Sequence, residues 1–361
     1  MILIYVLSFV FVVSLIVLVH EFGHFMVARF YGVKVLAFSI GFGKKLWCRT
    51  DKRGTEWRIC AIPLGGYVQM LGDEDATSVK KSDADLTEEE KKHTFLAQKL
   101  YKRALIIFAG PFMNYLFAVI LLTAILAVKG YPYIPAIIGE IKPGSAAESM
   151  DLRPGDRILQ VNDVQIGDFS QLQREILFAP KGQQTSIHVE RNGQKFVAHF
   201  FPAPDQDKPQ LGVMSDITQP IAFEPYPVWK AFFKSWSVVY EMSCDTLRYI
   251  GLMISGERSA DELRGPLGIA EASGEALRAG FIRFILFLIQ ISVSIGLLNL
   301  LPLPVLDGGH LALYVVEAVT RRPVPKKVEE WCMRVGLTLL FALFLFTLWK
   351  DIPRIIGKMF S

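Results

Sequence analysis

The feature that most constrains this chain is an uncharged apolar run from Met1 to Val19 that ends in the five residues HEFGH, His20 to His24. The run is about as long as a helix must be to cross the hydrocarbon of a bilayer. Two histidines and a glutamate at the end of such a run are costly unless they have a purpose. On a helix, His20 and His24 lie one turn apart on one face. Two neutral imidazoles so placed can bind one Zn²⁺, with Glu21 beside the open coordination position. This is the ligand geometry of a zinc hydrolase.

Composition places that motif in a membrane protein. Of the 361 residues, 52% are hydrophobic, too many for an ordinary soluble globule, while 20% are charged, which leaves room for soluble parts. Further membrane-length runs occupy Ala104 to Val128 and Phe284 to Leu306, and a shorter fourth runs from Val335 to Trp349 between Arg334 and Lys350, whose charges can snorkel. The N-terminal run is expected to be retained, because no basic segment precedes it and the metal motif sits at its far end. Lysine and arginine crowd the segment from Arg29 to Arg103, and Arg321, Arg322, Lys326 and Lys327 follow the third run. Basic loops mark the cytoplasmic side, so the N-terminus is expected outside, HEFGH toward the cytoplasmic face, and Lys129 to Arg283 outside. The net charge of +4 is then membrane topology and not a nucleic-acid footprint. Cys48, Cys60, Cys244 and Cys332 have neither zinc-site nor disulfide-scaffold spacing, and are expected to be free.

Between the spans the pattern changes several times. Lys45 to Arg49 and Thr55 to Ile62 alternate around Asp51-Lys52-Arg53-Gly54, which predicts a β-hairpin. Ala61 to Leu71 stays apolar and carries Gly65-Gly66. It reads either as a re-entrant strand whose free edge could pair with an extended peptide, or as a surface hairpin. Thr87 and Glu90 have capping-box spacing, and His93 reads as solvated. From Ala136 to about Val213, short strands, turns and one helix predict a compact soluble domain. Trp229, Phe232, Phe233, Trp236 and Tyr240 then recur at helical spacing, as on a helix lying at the membrane interface or packed on that domain.

A catalytic zinc takes three protein ligands and water, so HEFGH needs a third. Asp307 is the outstanding candidate, because NLLPLPVLDGGH (Asn299 to His310) ends the third run with prolines that stop regular helix and present polar groups at membrane depth. Glu56 is weaker, and His310 suits a packing or supporting role.

The string IGEIKPGSAAESMDLRPGDRILQVNDVQI, Ile138 to Ile166, resembles a PDZ domain of the bacterial protease type. Such a domain accepts a peptide tail by β-augmentation, or serves as a passive spacer. HEFGH, Ile62 to Gly72, AGPFMN (Ala109 to Asn114), the PDZ-like region and NLLPLPVLDGGH together resemble the site-2 protease family of intramembrane zinc metalloproteases, in its bacterial regulator of sigma-E protease branch. The resemblance implies that His20, His24 and Asp307 ligate zinc, that Glu21 is the catalytic base, and that Asn299 helps hold substrate. Gly65 and Gly66 are the strand edge expected to keep a substrate helix unwound. One departure is that the soluble insert has room for a single PDZ domain, where several members of the branch carry two.

The expected fold is a polytopic α-helical membrane protein of about four spans with a re-entrant β-hairpin and an inserted extracytoplasmic α+β PDZ domain. Its parts would be residues 1–130 (two spans, metal motif and hairpin), 131–215 (PDZ domain), 216–280 (amphipathic helices) and 281–361 (two further spans). The resemblance implies a bacterial inner-membrane enzyme in regulated intramembrane proteolysis and stress response. It would cleave pre-trimmed single-span membrane proteins of the anti-sigma-factor type, and remnant signal peptides. Membrane lipid is an expected partner, as is a peptide at the PDZ domain; nucleic acid is not. The alternative is a membrane-anchored PDZ adaptor with a non-catalytic metal site.

Overall fold

A computed structural model describes residues 2–72, 86–202, 209–215, 222–224, 226–258 and 265–360. The chain divides into two compact units: residues 1–123, 232–246 and 261–361 form the first, and residues 124–231 with 247–260 form the second.

The first unit begins with α1 (Ile2–Phe30), an unbroken helix that carries HEFGH in its last third. It is followed by strands β1 (Val35–Thr50) and β2 (Glu56–Met70), the short α2 (Glu88–Lys92) and the long α3 (Leu100–Lys129). The hairpin read from sequence is present and is larger than the alternation suggested. Residues 35–40 pair on one side with residues 66–70 and on the other with residues 56–59, while residues 45–50 pair with residues 56–60. Each strand therefore doubles back on itself. Gly41, Gly43 and Gly65 have φ of 85°, 86° and 111° at the reversals, a region that costs a β-carbon dearly. Phe25 and Phe38 are buried between the sheet and α1, with Trp57 stacked edge-on against Phe25. Ser14, in the middle of α1, donates to the Pro63 carbonyl, and Arg29, at its end, donates to Asp51. The sheet thus lies along α1 between those two levels.

Thr87 and Glu90 form the expected capping box around α2. His93 is exposed, with Nδ1 2.7 Å from the Gly32 carbonyl. The charged stretch at residues 73–85 lies outside the described residues.

The second unit holds the short β3 (Tyr131–Tyr133), then β4 (Ile138–Ile141), α4 (Ala146–Ser149), β5 (Arg157–Val161), β6 (Val164–Gln165), α5 (Phe169–Leu177), β7 (Thr185–Arg191), β8 (Gln194–Phe200), β9 (Val213–Ser215) and β10 (Ala222–Glu224). Strands pair as β6-β5-β7-β8, β4-β9 and β10-β3. Alternate residues of β7 point inward, so Ile187 and Val189 join Ile158, Leu172 and Phe200 in a core that excludes water. Burying such a side chain contributes about 1.5–3 kcal/mol. The β7–β8 turn is Asn192-Gly193 with φ of 51° and 81°, the left-handed pair that matches strand twist in a two-residue hairpin. Asp168 caps α5 through Gln171 N at 2.8 Å.

The remaining helices are α6 (Val228–Ile254), α7 (Pro266–Arg278), α8 (Phe281–Leu300), α9 (Asp307–Thr320) and α10 (Lys326–Phe360). On α6 the aromatic stripe faces outward, with Trp229, Phe233 and Tyr240 exposed, whereas Ala231, Ser235 and Val239, one turn apart, are buried. Ser235 accepts from Thr123 and Ser243 donates to Tyr115, so the polar face of α6 meets α3. Four helices are long and apolar enough to cross a membrane: Leu3–Phe30, Leu100–Lys129, Phe281–Leu300 and Lys326–Asp351. The third stops six residues short of the sequence reading, because Pro302 and Pro304 end it. The fourth runs longer, because its helix continues through the flanking charges at both ends.

Candidate metal centre

Helix α1 puts His20 and His24 one turn apart on the face that meets α3, and both are buried. Their Nε2 atoms lie 3.2 Å apart. Asp307 arrives from elsewhere in the chain: its Oδ2 is 3.0 Å from His20 Nε2 and 3.6 Å from His24 Nε2. These three are the one group of potential metal ligands among the described residues, with ligand atoms all within 4.8 Å of one another. No cysteine joins them, all four being free. Neither does Glu56, which is held by Lys45 and Arg58 at the hairpin, nor His310, one turn further along α9.

Three observations test whether this group suits a cation. Asp307 Oδ2 is buried without a hydrogen-bond partner, an expensive state for a carboxylate oxygen unless a positive centre is to meet it. Space has been cleared where the donors converge, for a β-carbon at Gly110 on α3 would stand 2.3 Å from His24 Nε2 and 2.9 Å from His20 Cε1. The far ring nitrogens are also engaged. His24 Nδ1 lies 2.8 Å from the Ile106 carbonyl, to which it donates, leaving the Nε2 lone pair directed at the centre. The donor set of two imidazoles and one carboxylate is that of a catalytic zinc, which leaves a coordination position open, and not the closed four-ligand set of a structural one.

His20 Nδ1 faces the side-chain amide of Asn114, with 3.2 Å to Nδ2, while Asn114 Oδ1 is buried without a partner. Turned over, the same amide shape presents Oδ1 to the ring. The carbonyl then accepts from Nδ1–H, and His20 Nε2 is free to bind metal. Ser292 on α8 donates to the backbone carbonyl of Asn114 at 2.9 Å and so ties this level of α3 to α8. The sequence motif AGPFMN contains both Gly110 and Asn114, and an asparagine inside an apolar span is the one signal that a polar partner lies opposite; in the structure it is fully buried.

The backbone before Asp307 is unusual. Leu301 to Leu306 links α8 to α9 with two prolines, and Val305 adopts φ 81°, a genuine outlier for a β-branched residue. Close packing holds this loop: β-carbons at Gly308, Gly309 and Gly336 would meet the carbonyl oxygens of Leu301, Leu303 and Pro304 at 2.1, 2.4 and 2.5 Å. Asp307 itself opens α9, where the exposed N–H groups of the first turn favour a carboxylate. At the far end of α9, Glu317 pairs with Arg103 of α3 at 2.7 Å.

Glu21 follows His20 directly, and a β-carbon at Gly66 would sit 3.7 Å from its Cγ. The Gly66 end of the sheet therefore passes beside the glutamate. Gly65 is at the reversal next to it, packed on the Phe42 ring. Asn299 lies in the last turn of α8, and no hydrogen bond joins it to the histidine–aspartate group among the described residues.

Comparison with known proteins points the same way. Residues 8–343 match the model of peptidase family M50. A protein of Agrobacterium fabrum that bears a zinc-metalloprotease name is 36% identical, covering 98% of this chain and 97% of its own. Metalloprotease MmpA of Caulobacter vibrioides is 34% identical over 98% and 96%. The regulator of sigma E protease of Haemophilus influenzae is 29% identical over 96% and 98%; that alignment runs to 445 positions against 361 residues here, so the relative carries length that this chain lacks. The PDZ domain of an SdrC-like protein from Listeria monocytogenes matches 24% of this chain and 88% of its own, at 17% identity and a TM-score of 0.20. With a family match across nearly the whole length and a donor set suited to zinc, the chain belongs to peptidase family M50, the site-2 proteases, and is an intramembrane zinc metalloprotease.

Proposed function

We propose that His20, His24 and Asp307 hold the zinc of this protease, that Glu21 moves the proton, and that the substrates are transmembrane segments of single-span membrane proteins already shortened outside the bilayer. The observation that carries this reading is the convergence of His20 Nε2, His24 Nε2 and Asp307 Oδ2 among helices long and apolar enough to span a membrane. When bound there, zinc supplies Lewis acidity that polarises a scissile carbonyl and acidifies water. Glu21, next to the ligands but outside the donor group, takes the water proton and delivers it to the leaving amine nitrogen. Asn114 and the Ile106 carbonyl keep both imidazoles in the orientation that offers Nε2.

A helical substrate hides its amides in its own hydrogen bonds and must unwind before attack. The edge at residues 66–70 runs past Glu21, and an extended peptide added there would replace the hydrogen bonds that the helix gives up. The contact of Ser14 with Pro63 supports a sheet that re-enters the membrane, since Ser14 is midway along a span. Asn299, in the last turn before the strained loop, is the second group proposed to hold the unwound segment.

The basic segments after α1 and between α9 and α10 support a cytoplasmic position for both, with the PDZ domain on the extracytoplasmic side of a bacterial inner membrane. In this reading the second unit is a PDZ domain that screens substrates. Anti-sigma factors and remnant signal peptides are the substrate types proposed for it.

Co-expression with a truncated single-span substrate, comparing the wild type with Glu21→Gln, tests the assignment. Zinc content should be unchanged and cleavage should fall by about 10²–10⁴, the usual worth of a general base. Near-normal cleavage by that variant removes Glu21 from the mechanism.

A further inference from the structure

Two adjoining hollows on the helix-facing side of the sheet share one wall, Trp57. The larger, about 450 Å³, is lined only by apolar and aromatic side chains, among them Leu18 and Phe22 of α1, Ile40 of β1, and Met113 and Ile120 of α3. The smaller, about 310 Å³, lies across Trp57 and is walled by Trp47, Arg49, Thr50, Asp51 and Lys52. Strand register places both on one face, because Arg49 is opposite Trp57 and Trp47 is opposite Ile59.

The two hollows differ in depth in the way an amphiphile does. The polar one is fixed to the end of α1 by Arg29, which reaches both Asp51 and Thr55 Oγ1. The apolar one extends from Trp57 back along α1 toward Leu18. Arg29 lies fifteen residues beyond Ser14 at the middle of this span, or about 22 Å at 1.5 Å per residue. Half the hydrocarbon thickness is about 15 Å, which puts the Trp47–Trp57 groove at headgroup level and the apolar cavity inside the hydrocarbon.

Charge supplies the rest. Asp51, the groove's carboxylate, is already satisfied by Arg29, Trp57 Nε1 and the backbone N–H groups of Arg53 and Thr55. Arg49 and Lys52 have no ion-pair partner among the described residues. Two unmatched cations between two indole rings, above an apolar cavity, complement a ligand with a negative head and a hydrocarbon tail. An acidic peptide would leave the cavity unused, and a zwitterionic lipid would bring its own ammonium up against the two cations.

We propose that this composite site binds one anionic phospholipid, its phosphate on Arg49 and Lys52 between Trp47 and Trp57, and one acyl chain in the cavity bounded by Leu18, Ile40 and Ile120. The sheet that carries the site is the one whose other edge passes Glu21, so the bound lipid braces that edge against α1 and α3. The proposal does not depend on the protease assignment.

The test uses the full chain reconstituted in phosphatidylcholine vesicles doped with phosphatidylglycerol, extracted in mild detergent and assayed for retained headgroups. Wild-type protein is expected to retain about one phosphatidylglycerol per chain in preference to phosphatidylcholine. Each cation near a membrane surface is worth roughly fivefold, so Arg49→Gln with Lys52→Gln should weaken retention about 25-fold. Lys45→Gln, whose ammonium is held by Glu56 on the opposite face of the sheet, should leave it unchanged. Ile120→Trp, which fills the cavity and spares both cations, should also release the lipid. Circular dichroism and monodisperse elution in detergent report that each variant has folded. Equal retention of both lipids, retention unaffected by either set of changes, or displacement by soluble glycerophosphate or an acidic peptide would each overturn the proposal.

Discussion

Gly110 and His24 come so close that a single methyl group would fill the space between them: a β-carbon on Gly110 would lie 2.3 Å from His24 Nε2, below any real carbon–nitrogen contact. The obstruction cannot be moved aside, since the β-carbon is rigidly attached to α3 and His24 is anchored through its other nitrogen. Gly110→Ala is therefore expected to abolish stoichiometric zinc while the protein still inserts. Alanine has the better helix propensity by about 1 kcal/mol, so loss of the helix itself would not explain the result. Metal analysis of purified protein decides it, and a Gly110→Ala protein with one zinc per chain would contradict the placement of the ion.

Asn114 offers a different handle on the same centre, because it acts on His20 through the ring nitrogen that does not face the metal. Removing such an outer partner costs about 10- to 100-fold in metal affinity. Asn114→Leu, close in size and unable to accept a hydrogen bond, should weaken zinc by that factor in a chelator competition. Asn114→Asp retains an acceptor and should restore most of the loss. If both variants bind zinc equally well, or equally badly, the amide does not set the orientation of His20.

How much of this was readable beforehand depended on whether a role was local. His20 and His24 follow from helical spacing alone, and Asp307 from prolines that break a span beside a carboxylate. The hairpin turn at Asp51 to Gly54 was equally local, as was the Thr87–Glu90 cap. Gly110 and Asn114 were visible as residues but not as parts of the centre, since their meaning depends on α1 crossing α3 at His20, His24 and Gly23. The doubling of both strands was likewise hidden: alternation shows which residues share a face but not that Ile40 has partners on both sides, Gly66 and Ile59. The aromatic stripe of α6 predicted a helix correctly, yet its buried side is the small-residue line through Ala231, Ser235 and Val239, which has no hydrophobic signature.

In the second unit, the Asp156 carboxylate is almost wholly buried and takes two hydrogen bonds from Arg191, at 2.7 and 2.8 Å, and one from Arg153 N at 2.9 Å. Burial by itself would push this carboxyl up, but the Arg191 contacts outweigh it and hold the group below its ordinary value. A depressed folded value means that the stabilisation is complete above the unfolded value, near pH 4, and is lost as pH falls through the folded one. Arg191→Met reverses the sign. Asp156 is then buried without its partner, its folded value rises, and the unit should be weakened by about 3 kcal/mol at neutral pH and recover partly as the pH is lowered. Hydrogen exchange of the β5, β7 and β8 amides in the full-length protein measures both profiles. Parallel pH dependence in the two proteins would show that the pair does not govern the stability of this sheet.

The second unit is also expected to decide which substrates are cut without taking part in the cut. All three proposed ligands, Glu21 and Gly66 belong to the first unit, and no described residue of the second is among the potential metal ligands. Deleting residues 136–213 should therefore leave zinc content and the cleavage of a short transmembrane substrate intact, and should newly permit cleavage of a substrate that keeps a bulky outer domain. Both readouts come from one experiment, co-expression of the deletion protein with a short and a long version of the same substrate. Should the deletion protein insert and bind zinc yet fail on the short version, exclusion is the wrong role, and the second unit must deliver substrate to Glu21 instead.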